Sequence, residues 1–172
     1  WEDVGIEKRA NILHNIGSEL INQSKEIGTL LSREEGKTLP EGIGEVVRSG
    51  QQFQYYAASA LRQFGENIAS TREGVSVELT REPIGVCGII SPWNFPIAIA
   101  AWKSAPAMAF GNAIVLKPAS QTPASAIALT KIISEQKDIP EGLFNLVLGS
   151  GGTIGHQISE HKNINAISFT GS

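Results

Sequence analysis

The residues best suited to chemistry sit where short polar segments follow apolar ones. Ser91-Pro92-Trp93-Asn94-Phe95-Pro96 follows an apolar run over 84–90. Two prolines stiffen this turn, and the Asn94 amide is presented between two aromatic side chains. Such an amide can donate N–H bonds to an oxygen on which negative charge develops. Asparagine is equally at home capping the start of a helix, and the residue types leave both uses open. Lys117 closes a second apolar run, 113–116, ahead of Pro118-Ala119-Ser120. A lysine at the carboxyl edge of a strand can pair with a ligand hydroxyl or phosphate, or simply be solvated. Gly149-Ser150-Gly151-Gly152-Thr153-Ile154-Gly155 follows a third such run and opens a helical pattern. That is the context of a dinucleotide-binding turn, but Ile154 stands where strict spacing asks for the third glycine. A bare strand-to-helix turn fits as well.

Other residues carry less. Glu35-Gly36-Lys37-Thr38 resembles the end of a phosphate-cradling loop, yet Leu31 occupies the position of the required first glycine and no strand precedes it. A helix-terminating Gly36 is the plainer reading. His156 and His161 are five residues apart and point away from each other on a helix. No cysteine or carboxylate cluster has metal-ligand spacing, so no metal site is expected. Cys87 lies inside an apolar run with no nearby positive charge to activate it, and reads as a small core residue.

Elements must position these groups. Ile6, Ala10, Leu13, Ile16, Leu20 and Ile21 recur at helical spacing. Residues 1–67 therefore read as a helical part, with a long helix over 41–64 weakened by Gly42, Gly44 and Gly50. Residues 75–81 alternate apolar and polar, which predicts a half-buried strand. From 83 to 172 the pattern is strand, helix, strand. Strands are expected at 84–90, 113–116, 144–148 and 166–169, and helices at 97–110, 123–137 and 153–160. That alternation predicts an α/β fold with a parallel sheet and right-handed crossovers. Ligands of such sheets bind beyond the carboxyl ends of the strands, so 91–96, 117–121, 149–152 and 170–172 are the loops of interest.

Composition bounds the function. The 172 residues carry 14 Lys+Arg against 17 Asp+Glu, a net charge of −3. No basic excess is available to hold nucleic acid or an anionic membrane. The longest uncharged run, 83–102, contains Pro92, Asn94 and Pro96 near its middle, unfit for lipid. A single cysteine excludes an internal disulfide. The chain opens on Trp1 rather than Met and stops on a strand-to-turn junction, so a piece of a longer polypeptide is expected.

Taken in order, Pro92-Trp93-Asn94-Phe95-Pro96, then Lys117-Pro118-Ala119 starting 23 residues after Asn94, then Gly149-Ser150-Gly151, then Phe169-Thr170-Gly171-Ser172 resemble the aldehyde dehydrogenase superfamily. The early segments Glu7-Lys8-Arg9-Ala10 and Glu35-Gly36-Lys37 fit it too. The resemblance implies an N-terminal helical part joined to a Rossmann-like parallel sheet with helices on both faces. It implies that 75–82 is an oligomerisation-arm strand, so that the whole protein forms a homodimer or homotetramer, in the cytoplasm.

It also assigns roles. Asn94 looks like the oxyanion donor, and Phe95, Ile99 and Trp102 like walls of the substrate tunnel. Lys117 looks like the residue bonding the adenosine ribose, and Ile90, Ser91, Pro92, Trp93, Ala119 and Ser120 look like further cofactor-binding positions. Gly151 looks like the close-approach glycine near the adenosine, and Phe169, Thr170, Gly171 and Ser172 like the pyrophosphate segment. The cofactor implied is NAD or NADP and the substrate a small aldehyde. Family members oxidise it through a cysteine thioester that water hydrolyses with help from a glutamate.

Two departures matter. The family's nucleophilic cysteine and general-base glutamate lie beyond the Phe-Thr-Gly-Ser segment, and Cys87 does not align with the nucleophile. The 172 residues are thus expected to be a part of the NAD(P)-binding domain without the catalytic domain, and inert by themselves. Strict NAD users often carry a glutamate where Ser120 stands, so acceptance of both NAD and NADP is expected. The wording around Asn94 and Lys117 resembles the semialdehyde-oxidising branch, such as the enzymes of 2-oxoglutarate or succinate semialdehyde. No carboxylate-binding arginine is assignable from the motifs. Two alternatives remain open: a non-catalytic nucleotide-binding protein of this fold, and an acylating enzyme passing the thioester to coenzyme A.

Overall fold

The computed structural model describes residues 1, 3–62 and 65–171. Ser172, expected in the pyrophosphate segment, lies outside the described residues, as does Phe64 at the expected end of the long helix. Three helices come first: α1 (Ile6–Asn22), α2 (Ser24–Glu35) and α3 (Leu39–Ala60). A small hairpin follows, β1 (Glu66–Ala69) and β2 (Ser76–Leu79). The rest alternates as β3 (Val86–Ile90), α4 (Ala98–Ala109), β4 (Ala113–Lys117), α5 (Pro123–Ser134), β5 (Phe144–Leu146), a π-helical turn at Gly151–Gly155, α6 (His156–Glu160) and β6 (Ala166–Phe169).

The last four strands form one parallel sheet in the order β5-β4-β3-β6. Sheet order departs from chain order at β3, whose neighbours are β4 on one side and β6 on the other. Ile89, Ile114 and Leu116 project from one face into the core, where they meet α4, α5 and the helical layer. On the opposite face a Cβ added to Gly88 would lie 2.5 Å from Ile158 of α6. Helices therefore lie on both faces, as expected.

The helical layer packs backbone to backbone, which explains two of the glycines that weaken α3 on propensity, Gly42 and Gly50. A Cβ on Gly50 would lie 2.5 Å from the Gly17 carbonyl oxygen, and one on Gly42 2.6 Å from that of Gly28. Side chains at these positions would hold α1 and α2 away from α3. Packing overrides the propensity penalty of about 1 kcal/mol per glycine. Gly36 closes α2 in the left-handed conformation, φ 98°. It is the helix stop that the plainer reading expects, not a phosphate loop.

Three expectations need correction. The strand over 75–81 is shorter, Ser76–Leu79, and fully exposed rather than half-buried. It pairs antiparallel with β1, a strand at Glu66–Ala69 that the sequence reading missed where the helical part ends. The helix over 153–160 begins earlier, as a π turn at Gly151, where Gly155 N donates to the Ser150 carbonyl five residues back (3.4 Å), while the Ser150 hydroxyl caps the turn by accepting from Thr153 N at 3.1 Å.

Gly50→Ala is expected to cost about 1–3 kcal/mol through overpacking. Gly44→Ala, where an added Cβ meets nothing within 4 Å, is expected to be neutral or stabilising by up to about 1 kcal/mol. Chemical denaturation of the two variants side by side checks the contrast.

Candidate functional site

Three strands end level. In the parallel register Ile90 pairs with both Lys117 and Phe169. The pairing runs one bond further, from Ser91 N to the Lys117 carbonyl (3.1 Å) and from Thr170 N to the Ile90 carbonyl (3.0 Å). The segments after β3, β4 and β6 thus leave the sheet together and enclose a cleft of about 630 Å³. Ile90, Ser91, Pro92, Trp93 and Asn94 form one wall. Lys117, Ala119 and Ser120 form the second, and Gly151, Phe169, Thr170 and Gly171 the third. Every described residue expected to hold cofactor lines this cleft. Gln121 and Ser150 line it as well. Ser150 was read only as part of the Gly149–Gly155 motif, with no role of its own, although its place just before a helical turn is a usual capping position.

Lys117 is only 3% exposed, so the solvated-lysine alternative does not hold. Its amine donates to the Pro118 carbonyl, and burial pulls its pKa below the usual lysine range. Ser91 is equally buried, and its hydroxyl has no hydrogen-bond partner. An orphaned buried hydroxyl in a cleft signals a group completed by something else. Ser120 Oγ donates to the Gly149 carbonyl at 3.2 Å, tying the β4 and β5 loops together. An ideal Cβ on Gly151 meets nothing within 4 Å, so the backbone there is open to close approach. The donor set suits a dinucleotide: a buried cation, hydroxyls, and glycine backbone at strand ends.

Asn94 does not cap α4. That role belongs to Glu45 on α3, whose Oε1 accepts from Ile97 N and Ala98 N, both at 3.0 Å. The Glu45 side chain is 2% exposed, and its Oε2 pairs with Lys37. Lys37 also donates to the Asn94 carbonyl at 3.0 Å and stands 4.3 Å over the Phe95 ring. The Glu35-Gly36-Lys37 turn therefore grips the turn that carries Asn94, while the Asn94 side chain is exposed at the cleft. A second carboxylate works alike. Glu34 accepts from Ser125 N (2.9 Å) and Ser125 Oγ at the start of α5. Neither contact was legible in the motifs, since the partners are 52 and 91 residues apart.

Phe95 and Trp102 stand outside the main cleft. With Ile99 and Ala98 they wall an adjoining apolar pocket of about 430 Å³, whose rim on α3 carries Glu41, Gly44, Glu45 and Arg48. Ile99 lines both spaces. Cys87 sits mid-strand between Ile114 and Ala166, away from both, and burial pushes its thiol pKa up. Among the described residues no group of three His, Cys, Asp or Glu could hold a metal. No helix there is long and apolar enough to cross a membrane.

Fold and cleft together define a doubly wound α/β protein with a ligand cleft at its strand ends. The profile of the aldehyde dehydrogenase family matches residues 1–172, and the chain belongs to that family. It is 41% identical to the alpha-ketoglutaric semialdehyde dehydrogenase of Bacillus subtilis (strain 168), covering 100% of this chain and 35% of that one. A betaine aldehyde dehydrogenase variant from Staphylococcus aureus, in complex with NAD+, superposes with TM-score 0.96 at 33% identity, covering 100% and 35%. The glyceraldehyde-3-phosphate dehydrogenase of Methanocaldococcus jannaschii, complexed with NADP, gives TM-score 0.94 at 37% identity, covering 99% and 38%. The chain thus spans about a third of the length of these proteins.

Glu45→Ala leaves Lys37 without its main partner and α4 without its cap. A loss on the order of 3 kcal/mol is expected, with Glu45→Gln losing less because the amide oxygen still accepts. Amide hydrogen exchange at Ile97 and Ala98 should accelerate in the alanine variant and checks the capping directly.

Proposed function

We propose that this chain is the cofactor-binding part of an NAD(P)-dependent aldehyde dehydrogenase that oxidises a small aldehyde, of the semialdehyde kind, to its acid. The observation that carries the reading is the convergence of Lys117, Ser91, Ser120, Gly151 and Gly171 on one cleft beside the Asn94 turn. The semialdehyde assignment draws on the relative from Bacillus subtilis. The cofactor assignment draws on the neighbours bound to NAD+ and NADP.

Bound in the cleft, NAD or NADP would supply the hydride acceptor. Lys117 and Ser120 would hold the adenosine ribose, Lys117 as a donor already stripped of water. Gly151 would let the backbone approach the adenosine side, and Phe169, Thr170 and Gly171 would meet the pyrophosphate. Ser91 would gain the partner its hydroxyl lacks. Asn94 would donate to the oxygen of the aldehyde as charge develops there. Lys37 and Glu45 would keep the Asn94 turn from drifting, which matters because catalytic donors work only when pre-positioned. Nucleophile and general base would come from the remainder of the whole protein.

Assembly through the hairpin is part of this proposal. The register puts Ile68 opposite Val77, and Leu79 opposite Glu66, so Ile68, Val77 and Leu79 share one face. All three are exposed. A one-sided apolar hairpin with free edges is what strand addition to another subunit needs.

Ser120 leaves room for a 2′-phosphate. A carboxylate about 4 Å from such a phosphate would cost on the order of 4 kcal/mol per unit charge at an effective dielectric of 20. Ser120→Glu in the whole enzyme is expected to lower kcat/KM for NADP at least tenfold relative to NAD. Steady-state kinetics with both cofactors checks this. Equal efficiencies with NADP before and after the change would remove Ser120 as the determinant.

A further inference from the structure

The apolar pocket beside the cleft has one charge at its rim that no opposite charge among the described residues answers. Glu41 is occupied: its Oε2 accepts from Thr38 N (3.1 Å) and Thr38 Oγ1 (2.6 Å). Glu45 is occupied by Lys37 and the start of α4. Lys37 is occupied in turn by Glu45, the Asn94 carbonyl and the Phe95 ring. Arg48 is different. It is exposed, and it donates a long 3.5 Å bond to the neutral Gln51. Among the described residues it makes no ion pair.

Its placement follows from the helix. Residues 41, 45 and 48 recur at helical spacing on the face of α3 that looks toward α4. Phe95, Ile99 and Trp102 wall the space between them. The result is an apolar slot with an unpaired guanidinium at one end. A guanidinium is a planar fork of donors that matches a carboxylate in bidentate fashion, which gives direction as well as charge.

We propose that Arg48 determines specificity. Its guanidinium binds the distal carboxylate of a short aldehyde acid whose carbon chain lies along Phe95, Ile99 and Trp102. This rests on the aldehyde dehydrogenase reading above and deepens it, because it names the second charge the substrate must carry. Substrates with a quaternary ammonium at that end are disfavoured. They would face Arg48, and the Phe95 ring that would attract them already holds Lys37.

The test uses the whole enzyme with Arg48→Leu and Arg48→Lys. The readout is kcat/KM for succinate semialdehyde and for butanal, which has the same carbon chain without the carboxylate. In Arg48→Leu the ratio of the two should fall roughly 10- to 100-fold, the scale of a lost charge-assisted pair, through KM. Arg48→Lys should keep part of it. In the parent enzyme, KM for the semialdehyde should rise with added salt. An unchanged ratio, or an equal loss on both aldehydes, would overturn the proposal. If the parent oxidises neither aldehyde, the enzymatic reading fails, but the site is still decided. Glutarate binding, followed by titration calorimetry, should weaken at least tenfold in Arg48→Leu. Equal glutarate affinity in the two proteins would sink the carboxylate site.

Discussion

A buried carboxylate is tolerated only when its oxygens are answered, and Glu45 is answered from two sides. One oxygen takes the free N–H groups at the start of α4, and the other takes Lys37. Removing any member would leave a charge or a row of amide groups stranded away from water. The three parts are therefore locked to one another. Through Lys37 the lock extends to the Asn94 carbonyl and the Phe95 ring. The turn that presents Asn94 is thus held by the helical layer rather than by its own residues.

Glu34 repeats the device one helix along, at the start of α5. A helix N-terminus carries partial positive charge and unsatisfied donors, so a carboxylate from a neighbouring layer is a natural clasp. Two clasps fasten the helical layer to the two helices that flank β4. Since the segments before α4 and α5 line the cleft, helical-layer packing becomes a condition for cleft geometry. The glycine contacts of Gly50 with Gly17, and of Gly42 with Gly28, allow that packing to be close enough.

Under the proposed function the cleft and the apolar pocket would divide the chemistry. The cleft is polar at its base, with Lys117 and Ser91 buried there. The pocket is walled by Phe95, Ile99 and Trp102 and ends at Arg48. Ile99 belongs to both. A cofactor and an aldehyde brought to these two spaces would meet beside Asn94.

Much of this was determined by the sequence alone. Alternating apolar runs and helical patterns dictate a parallel sheet, because such strands bury both faces and need helices to return. Their ends then fall together, and Asn94, Lys117, Ser120 and Gly151 meet in one cleft through register alone. The family motifs mark those same positions. The role of Asn94 as cap or donor stayed open, because a cap is defined by which acceptor reaches free amides, and Glu45 lies 52 residues from Ile97. Arg48 was invisible for the same reason. Its place in one pocket with Phe95 and Trp102 comes from the packing of α3 against α4, not from its neighbours in the chain. Strand β1 was missed because its four residues, Glu66–Ala69, are too short to write a period, and only pairing with β2 extends them. Local pattern decides elements and strand ends; only the tertiary structure decides which distant charges answer one another.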